Sequence, residues 1–391
     1  MTTSEVAYTD SQKSTADIHG VETEFPEVIT NAKPPLQLPS QTWASNTETL
    51  KGTIIITGAN GSLGSALVRH VFSSPNLADD YYGVYTVRRL ETATNLEKTL
   101  THAPVTHKHE SIALDLSRLS EVRAVADSIN KRVSEGSLPR IRALILNAGY
   151  QEFTTQNFSE DGFDMSFQCN YLSHWLLTLM LLGSMDKEHG RIVVIGSNTH
   201  DPYDPRNKSI GMFEGEQWKI LFHDAESLAK GTWSTPKDDP TLKAGLRRYS
   251  AAKLCQVMMI YELQRRLNTD PSLFNISILG VDPGGMPSNL TRRGSFSMII
   301  LMKTVIPLLA FILVRLSPNG PLRTTTKSAK DVVGAAFDTQ TIGEQPKNVY
   351  LNGSEFSQPG AEARDVEKQS LLWHDSAKFT KLNKDETALL N

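Results

Sequence analysis

The chain has 391 residues, of which 39% are hydrophobic and 21% charged, the balance of an ordinary globular protein and not of a disordered or fibrous one. Its 40 basic and 43 acidic side chains give a formal charge of −3, which argues against a nucleic-acid partner, because a basic surface supplies most of that affinity. Two cysteines, Cys169 and Cys255, exclude a disulfide scaffold and a four-cysteine zinc site and fit a reducing, cytoplasmic setting.

Residues 1–50 are polar, carry Pro26, Pro34, Pro35 and Pro39, and read as an N-terminal extension with little structure of its own. The first twenty residues have no apolar run and are acidic and Arg-poor, so neither a secretory signal nor a transit peptide is expected there. Residues 51–391 read as one domain. Short β-branched runs at 53–57, 82–87, 111–114, 143–146, 192–196, 275–281 and 348–351 predict strands. Several are apolar without alternation, as expected for strands covered on both faces. Helical patterns at 62–72, 119–133, 161–182, 249–267 and 328–337 lie between them. Strands separated by helices imply right-handed crossovers and an α/β fold: one doubly wound parallel sheet of about seven strands with helices on both faces.

Two stretches interrupt that rhythm, and a tail at 356–391 follows the last strand. The insertion 198–248 is rich in Asp, Pro, Lys and Trp. The segment 298–314 is strongly apolar but broken by Lys303 and Pro307. It reads as a helical lid over the active site, as a flap contacting a membrane interface peripherally, or as a short span, although a span needs roughly 20 apolar residues.

The motifs carry chemistry at the C-terminal ends of the predicted strands. Gly58, Asn60, Gly61, Ser62, Leu63 and Gly64 form a Gly-rich turn that leaves the first strand and opens the first helix. Such a turn lets the backbone approach a pyrophosphate, which rests on the helix N-terminus; a tight turn without a ligand is the plain alternative. The second strand ends in Arg88 and Arg89, where a carboxylate would grip the ribose of NAD, so NADP(H) is favoured unless both arginines only face solvent. Asp115 follows the third strand and Asn147, Ala148 and Gly149 the fourth; singly, each also suits a turn or a helix cap. Tyr249 and Lys253 stand at i and i+4, one above the other on a helix face. An ammonium beside a phenol lowers the phenol's pKa from about 10 toward working pH, making it a usable acid and base. No metal is expected. His102, His107 and His109 read as part of a solvated loop, and Gly196-Ser197 lacks the following glycine of a hydrolase elbow.

Taken in order, Gly58–Gly64, Asn147-Ala148-Gly149, Asn170, Ser197, Tyr249 and Lys253 resemble the short-chain dehydrogenase/reductases, and the resemblance runs from Thr53 to about Leu351. It implies a Rossmann-like fold and an oxidoreductase. Tyr249 would be the general acid/base, Ser197 would hydrogen-bond the substrate oxygen, and Lys253 would bind the nicotinamide ribose and tune Tyr249. Asn170 would hold a water between Lys253 and solvent, Asp115 would contact the adenine, and Asn147 would prop the central sheet. The loop with Pro283, Gly284, Met286 and Ser288 resembles the one that closes over the nicotinamide. The Ser197–Tyr249 separation, 249 − 197 = 52 positions, is far longer than the family's usual spacing, and leaves Ser209 as a substitute serine. Similar insertions mark members resembling 3-ketosteroid reductases, retinol dehydrogenases and protochlorophyllide reductases. The C-terminal region resembles fungal members encoded with terpenoid or polyketide pathways.

These readings point to NADPH-dependent reduction of a ketone on a bulky lipophilic molecule. The same chemistry run oxidatively is the alternative, and a non-catalytic cofactor-binding protein is a third. Trp218 and Trp233 of the insertion would either wall the substrate site or anchor the local core. A homo-oligomer paired through helices is compatible with the family resemblance.

Overall fold

The computed structural model describes residues 50–294 and 296–389. The predicted extension lies outside these residues apart from Leu50. Eight strands form one sheet: β1 (Gly52–Ile56), β2 (Tyr81–Val87), β3 (His109–Ala113), β4 (Ile141–Leu146), β5 (Arg191–Ile195), β6 (Ser277–Asp282), β7 (Tyr350–Asn352) and β8 (Glu355–Phe356). Their order is β3-β2-β1-β4-β5-β6-β7-β8, parallel up to β7, with β8 antiparallel to β7. The chain reverses its direction of travel across the sheet between β1 and β4, and ligands of open α/β sheets bind at such a switch point. The eighth strand goes beyond the seven expected. It is two residues long and turns back through Gly353, at φ 67°, too short to leave a periodic pattern.

Strands β1, β4, β5 and β6 are buried along their whole length, which is why their sequences do not alternate. One face is covered by helices Leu119–Ser134, Ser173–Leu181 and Leu242–Thr269, which bring Val122, Trp175 and Leu254 into a common core. The other is covered by Ser62–Phe72 and Thr325–Phe337, through Leu67, Val71 and Val332. Truncating such a core side chain to alanine typically costs about 2–5 kcal/mol.

Three elements differ from expectation. The helix predicted at 161–182 starts at Met165, capped by the Asp164 carboxylate, which accepts from the N–H groups of Ser166 and Phe167, and passes through a π-helical turn at Gln168–Leu172. The helix that carries Tyr249 begins a full turn and more earlier, at Leu242, because Thr241 caps it by accepting from the N–H of Lys243. His107 is not in a solvated loop. Its ring is buried, stacked on His109 and hydrogen-bonded to the Tyr85 hydroxyl (2.7 Å) and the Ala78 carbonyl (3.0 Å), and burial lowers its pKa.

The insertion folds inward. Met212, Phe213, Leu221 and Phe222 join the core, and Arg247 stacks on Trp218 with its guanidinium carbon 3.8 Å from the ring centre. Trp218 and Trp233 pack against each other and the core, 6.1 Å between ring centres. By contrast, the apolar segment is a helix, Phe296–Leu316, whose described side chains lie mostly exposed; Ala310 is buried. Little of it is covered by the domain, and Met302 reaches the cleft at the C-terminal ends of the strands.

Candidate active site

At the C-terminal ends of β1, β2, β4, β5 and β6 lies a cleft of about 770 Å³. It is lined by Gly58, Asn60, Gly61, Ser62, Leu63, Gly64, Arg88, Asp115, Asn147, Ala148, Gly149, Ser197, Tyr249, Lys253, Pro283, Gly284, Met286 and Ser288. Of the sequence-predicted positions, Asn170 does not line it.

The Gly-rich turn is dictated by close approach. Gly58 has φ 66°, and a Cβ there would lie 2.8 Å from Cα of Ala148. A Cβ on Gly64 would lie 2.3 Å from the Gly58 carbonyl oxygen, so the helix packs onto the turn only without a side chain. The helix start has no side-chain cap and carries no acid in its first turn, which suits an anion at its free N–H groups. The rest of the turn is braced. Asn60 accepts through Oδ1 from the N–H groups of Asn95 (2.9 Å) and Leu96 (3.0 Å), tying the turn to the segment after β2. Ser62 Oγ accepts from the N–H of Asn289 (3.1 Å), tying it to the loop after β6. Thr57 Oγ1 accepts from the N–H groups of Asn147 (2.9 Å) and Ala148 (3.0 Å), while Asn147 Nδ2 donates to the Thr57 carbonyl (2.7 Å). Asn147 thus joins β1 to β4 at the switch point.

Beyond β2, Arg88 and Arg89 line the cleft, and among the described residues neither guanidinium has a hydrogen-bond or ion-pair partner. Arg292 reaches the same cleft from the loop after β6, where neighbouring Arg293 and Arg88 help to lower its pKa after burial. No acid stands at the end of β2. These cations suit the anionic end of a dinucleotide cofactor. Asp115 holds its own turn, accepting from Ser117 N–H (3.0 Å) and Oγ (2.7 Å).

Tyr249 and Lys253 project from one helix face into the deep end of the cleft, both buried. Lys253 Nζ lies 5.6 Å from the centre of the Tyr249 ring and donates to the Ile195 carbonyl (2.8 Å) and Gln256 Oε1 (2.8 Å). Ser197, at the end of β5, lines the same cleft, whereas Ser209 is exposed outside it. Ser197 Oγ lies 3.0 Å from Thr199 Oγ1 and accepts from the Thr199 N–H. The insertion between Ser197 and Tyr249 contributes Ile210 to the lining, and Trp218 and Trp233 stay in the core.

The family model for short chain dehydrogenases matches residues 52–205. Short-chain dehydrogenase iccH of Talaromyces variabilis is 52% identical over 358 residues, covering 87% of this chain and 98% of that protein. The chain belongs to the short-chain dehydrogenase/reductase family. It is an NAD(P)-dependent oxidoreductase. Human retinol dehydrogenase 13 is 26% identical, with 84% of this chain and 85% of that protein covered. Among solved structures, NADPH-bound carbonyl reductase from chicken fatty liver shares the fold at a TM-score of 0.51 and 14% identity, covering 79% of this chain and 94% of that one.

Two features of this dehydrogenase depart from what its motifs imply. Burial pushes the Tyr249 phenol up from its ordinary pKa, with the Asp282 carboxylate adding to the rise, so the ammonium does not dominate as the i, i+4 pairing suggests. Burial also pulls Lys253 down to about 7. Asn170 stands behind the cleft wall. Its side chain accepts from the Tyr150 N–H (3.0 Å) and donates to the carbonyls of Tyr150 (2.8 Å) and Ser166 (2.7 Å), and its own carbonyl is 2.9 Å from His174 Nδ1. The Asn170 side-chain amide is thus committed to backbone, within the π turn.

Sequence reasoning missed the clamp under the loop after β6. Buried Arg323 donates to the Asp282 carbonyl (2.9 Å) and the Asn319 carbonyl (2.7 Å), and a Cβ on Gly284 would lie 2.9 Å from its Nε. Arg206 of the insertion pairs with the Asp282 carboxylate at 2.9 Å. Neither arginine sits in a motif; only the unpaired charges of a buried loop would have called for them.

Proposed function

We propose that this dehydrogenase reduces a ketone on a bulky lipophilic molecule (terpenoid, steroid-like or polyketide) with NADPH, and that Tyr249 gives the proton. The observation that carries the reading is that Tyr249, Lys253 and Ser197 line one cleft together with the Gly-rich turn. A bound nicotinamide supplies the hydride. As negative charge grows on the substrate oxygen, Ser197 and Tyr249 donate hydrogen bonds to it and Tyr249 releases its proton. Lys253, fixed by the Ile195 carbonyl and Gln256, is placed to hold the ribose and to return a proton to the phenol. Ile210, Leu246, Leu290 and Met302 give the cleft apolar walls suited to a lipophilic substrate. Arg88, with Arg89 and Arg292 beside it, favours the 2′-phosphate of NADPH. The relative from Talaromyces variabilis, named a short-chain dehydrogenase, supports the oxidoreductase reading, and the human relative named for retinol supports an apolar substrate.

Tyr249→Phe should lower turnover of polycyclic ketones by about a thousandfold, while fluorescence titration shows NADPH binding within about twofold of the parent. Turnover that survives the change rules out the acid role. Arg88→Ala should weaken NADPH binding about tenfold or more and leave NADH binding unchanged; equal weakening of both rejects the 2′-phosphate assignment. Oxidation of the matching alcohols outpacing ketone reduction at neutral pH would reverse the assigned direction.

A further inference from the structure

We infer that the helix Phe296–Leu316 docks this enzyme on an anionic membrane, lying in the interface without crossing the bilayer. This inference concerns where the protein binds and does not depend on which substrate it reduces. A helix apolar on all sides belongs in a core or in lipid. The window Ile299–Leu316 has a mean hydropathy of 2.3, yet only 6% of it is buried within the protein. Phe296 is 80% exposed, Leu308 64% and Leu316 78%, and Ile300, Val305 and Ile312 are exposed between them. Contiguous apolar exposure on that scale marks a binding surface.

Charge selects the occupant. From Pro283 to Lys330 the sequence contains no acidic residue, in a chain whose net charge is negative. Arg293, Lys303 and Arg315 are all exposed on or beside the helix. Two copies meeting here would oppose like charges, whereas anionic headgroups would meet cations flanking an apolar helix.

The anchoring decides between lying in the membrane and spanning it. The Gly285 N–H donates to the Pro321 carbonyl (2.8 Å) and the Arg323 N–H donates to the Gly285 carbonyl (2.7 Å), so the excursion leaves and rejoins the domain at one point. The entering loop is also held, through the Asn289 N–H on Ser62. At 1.5 Å per residue a helix of 21 residues is about 32 Å long, enough to cross. Crossing, however, would drag the polar segment 288–294, with two arginines and only the short 3-10 helix Asn289–Arg293, into hydrocarbon. Met302 of this helix lines the cleft, so the docked enzyme opens its site beside the lipid surface.

The test is flotation of the full chain with vesicles of phosphatidylcholine alone and of phosphatidylcholine with about one third phosphatidylserine. The protein should float with the anionic vesicles, and salt should weaken the association. The double variant Leu308→Glu, Ile312→Glu should lose binding at least about tenfold, and Lys303→Glu, Arg315→Glu should lose the preference for phosphatidylserine. Both variants alter exposed positions, and an unchanged thermal melt shows that they remain folded. Absence of flotation in the parent protein overturns the inference, as does equal flotation of the apolar double variant. A parent protein that fails to float but forms a dimer dispersed by Leu308→Glu, Ile312→Glu assigns the surface to a second copy, and also overturns it.

Discussion

The 198–248 insertion is rich in Asp, Pro and Lys yet buries two arginines almost completely, whereas the helix Phe296–Leu316, the most apolar stretch of the chain, is left largely uncovered. The difference lies in partners. Arg247 donates to Ser234 Oγ (2.9 Å), the Met212 carbonyl (3.1 Å) and Asp239 (2.8 Å) while stacking on Trp218. Arg248 pairs with buried Asp164 at 3.1 Å and donates to the carbonyls of Ser234 and Thr155, both at 2.6 Å. Each guanidinium has a carboxylate and backbone carbonyls as partners, which offsets much of its desolvation. The apolar helix needs no polar partner, but the domain covers little of it. Composition states what a segment tolerates, and neighbouring surfaces decide where it goes.

That contrast can be broken most directly at Arg248. Arg248→Met leaves the Asp164 carboxylate buried without its cation and should destabilise the protein by about 3–5 kcal/mol, read as a lowered midpoint in urea unfolding. A loss below about 1 kcal/mol would show that the insertion is held by something other than this pair.

Lys253 tests how completely the inner region excludes water. Burial sets its folded-state pKa near 7, below its ordinary 10.5. Between these values the unfolded chain holds the proton and the native state does not, so this residue makes stability rise with pH across that window and penalises the native state below it. The slope is at most about 1.4 kcal/mol per pH unit. Lys253→Met should flatten stability against pH from about 7 to 10.5 in denaturant titrations; an unaltered slope would mean the ammonium is solvated. The smallest effect belongs to the outer region. Leu308→Ser should change unfolding stability by no more than about 0.5 kcal/mol, because the side chain contributes little to the folded domain; a larger loss would mean that the helix packs on the protein in solution.

The parallel sheet was legible because apolar β-branched runs between helical patterns admit few other arrangements, and seven strands were read at nearly their true positions. The two-residue β8 left no period to read. The Gly-rich turn and the Tyr249–Lys253 pair were legible because their chemistry needs neighbours along the chain. Asp282 with Arg206, and Gly284 over Arg323, were not, since each joins residues far apart in sequence. Asn170 was recognised as a motif residue, but the π turn that spends its amide on Tyr150 and Ser166 has no signature in residue type.

By itself the sequence determined the family, the order of strands and helices, and which side chains carry chemistry, because these depend on local spacing and on residue type. Only the tertiary structure decided that Tyr249 sits in surroundings that keep its proton, that His107 is an interior residue, and that the tryptophans of the insertion anchor a core. It also decided that the apolar helix lies exposed beside the cleft. Desolvation and burial are properties of everything packed around a group, and most of those neighbours come from elsewhere in the chain.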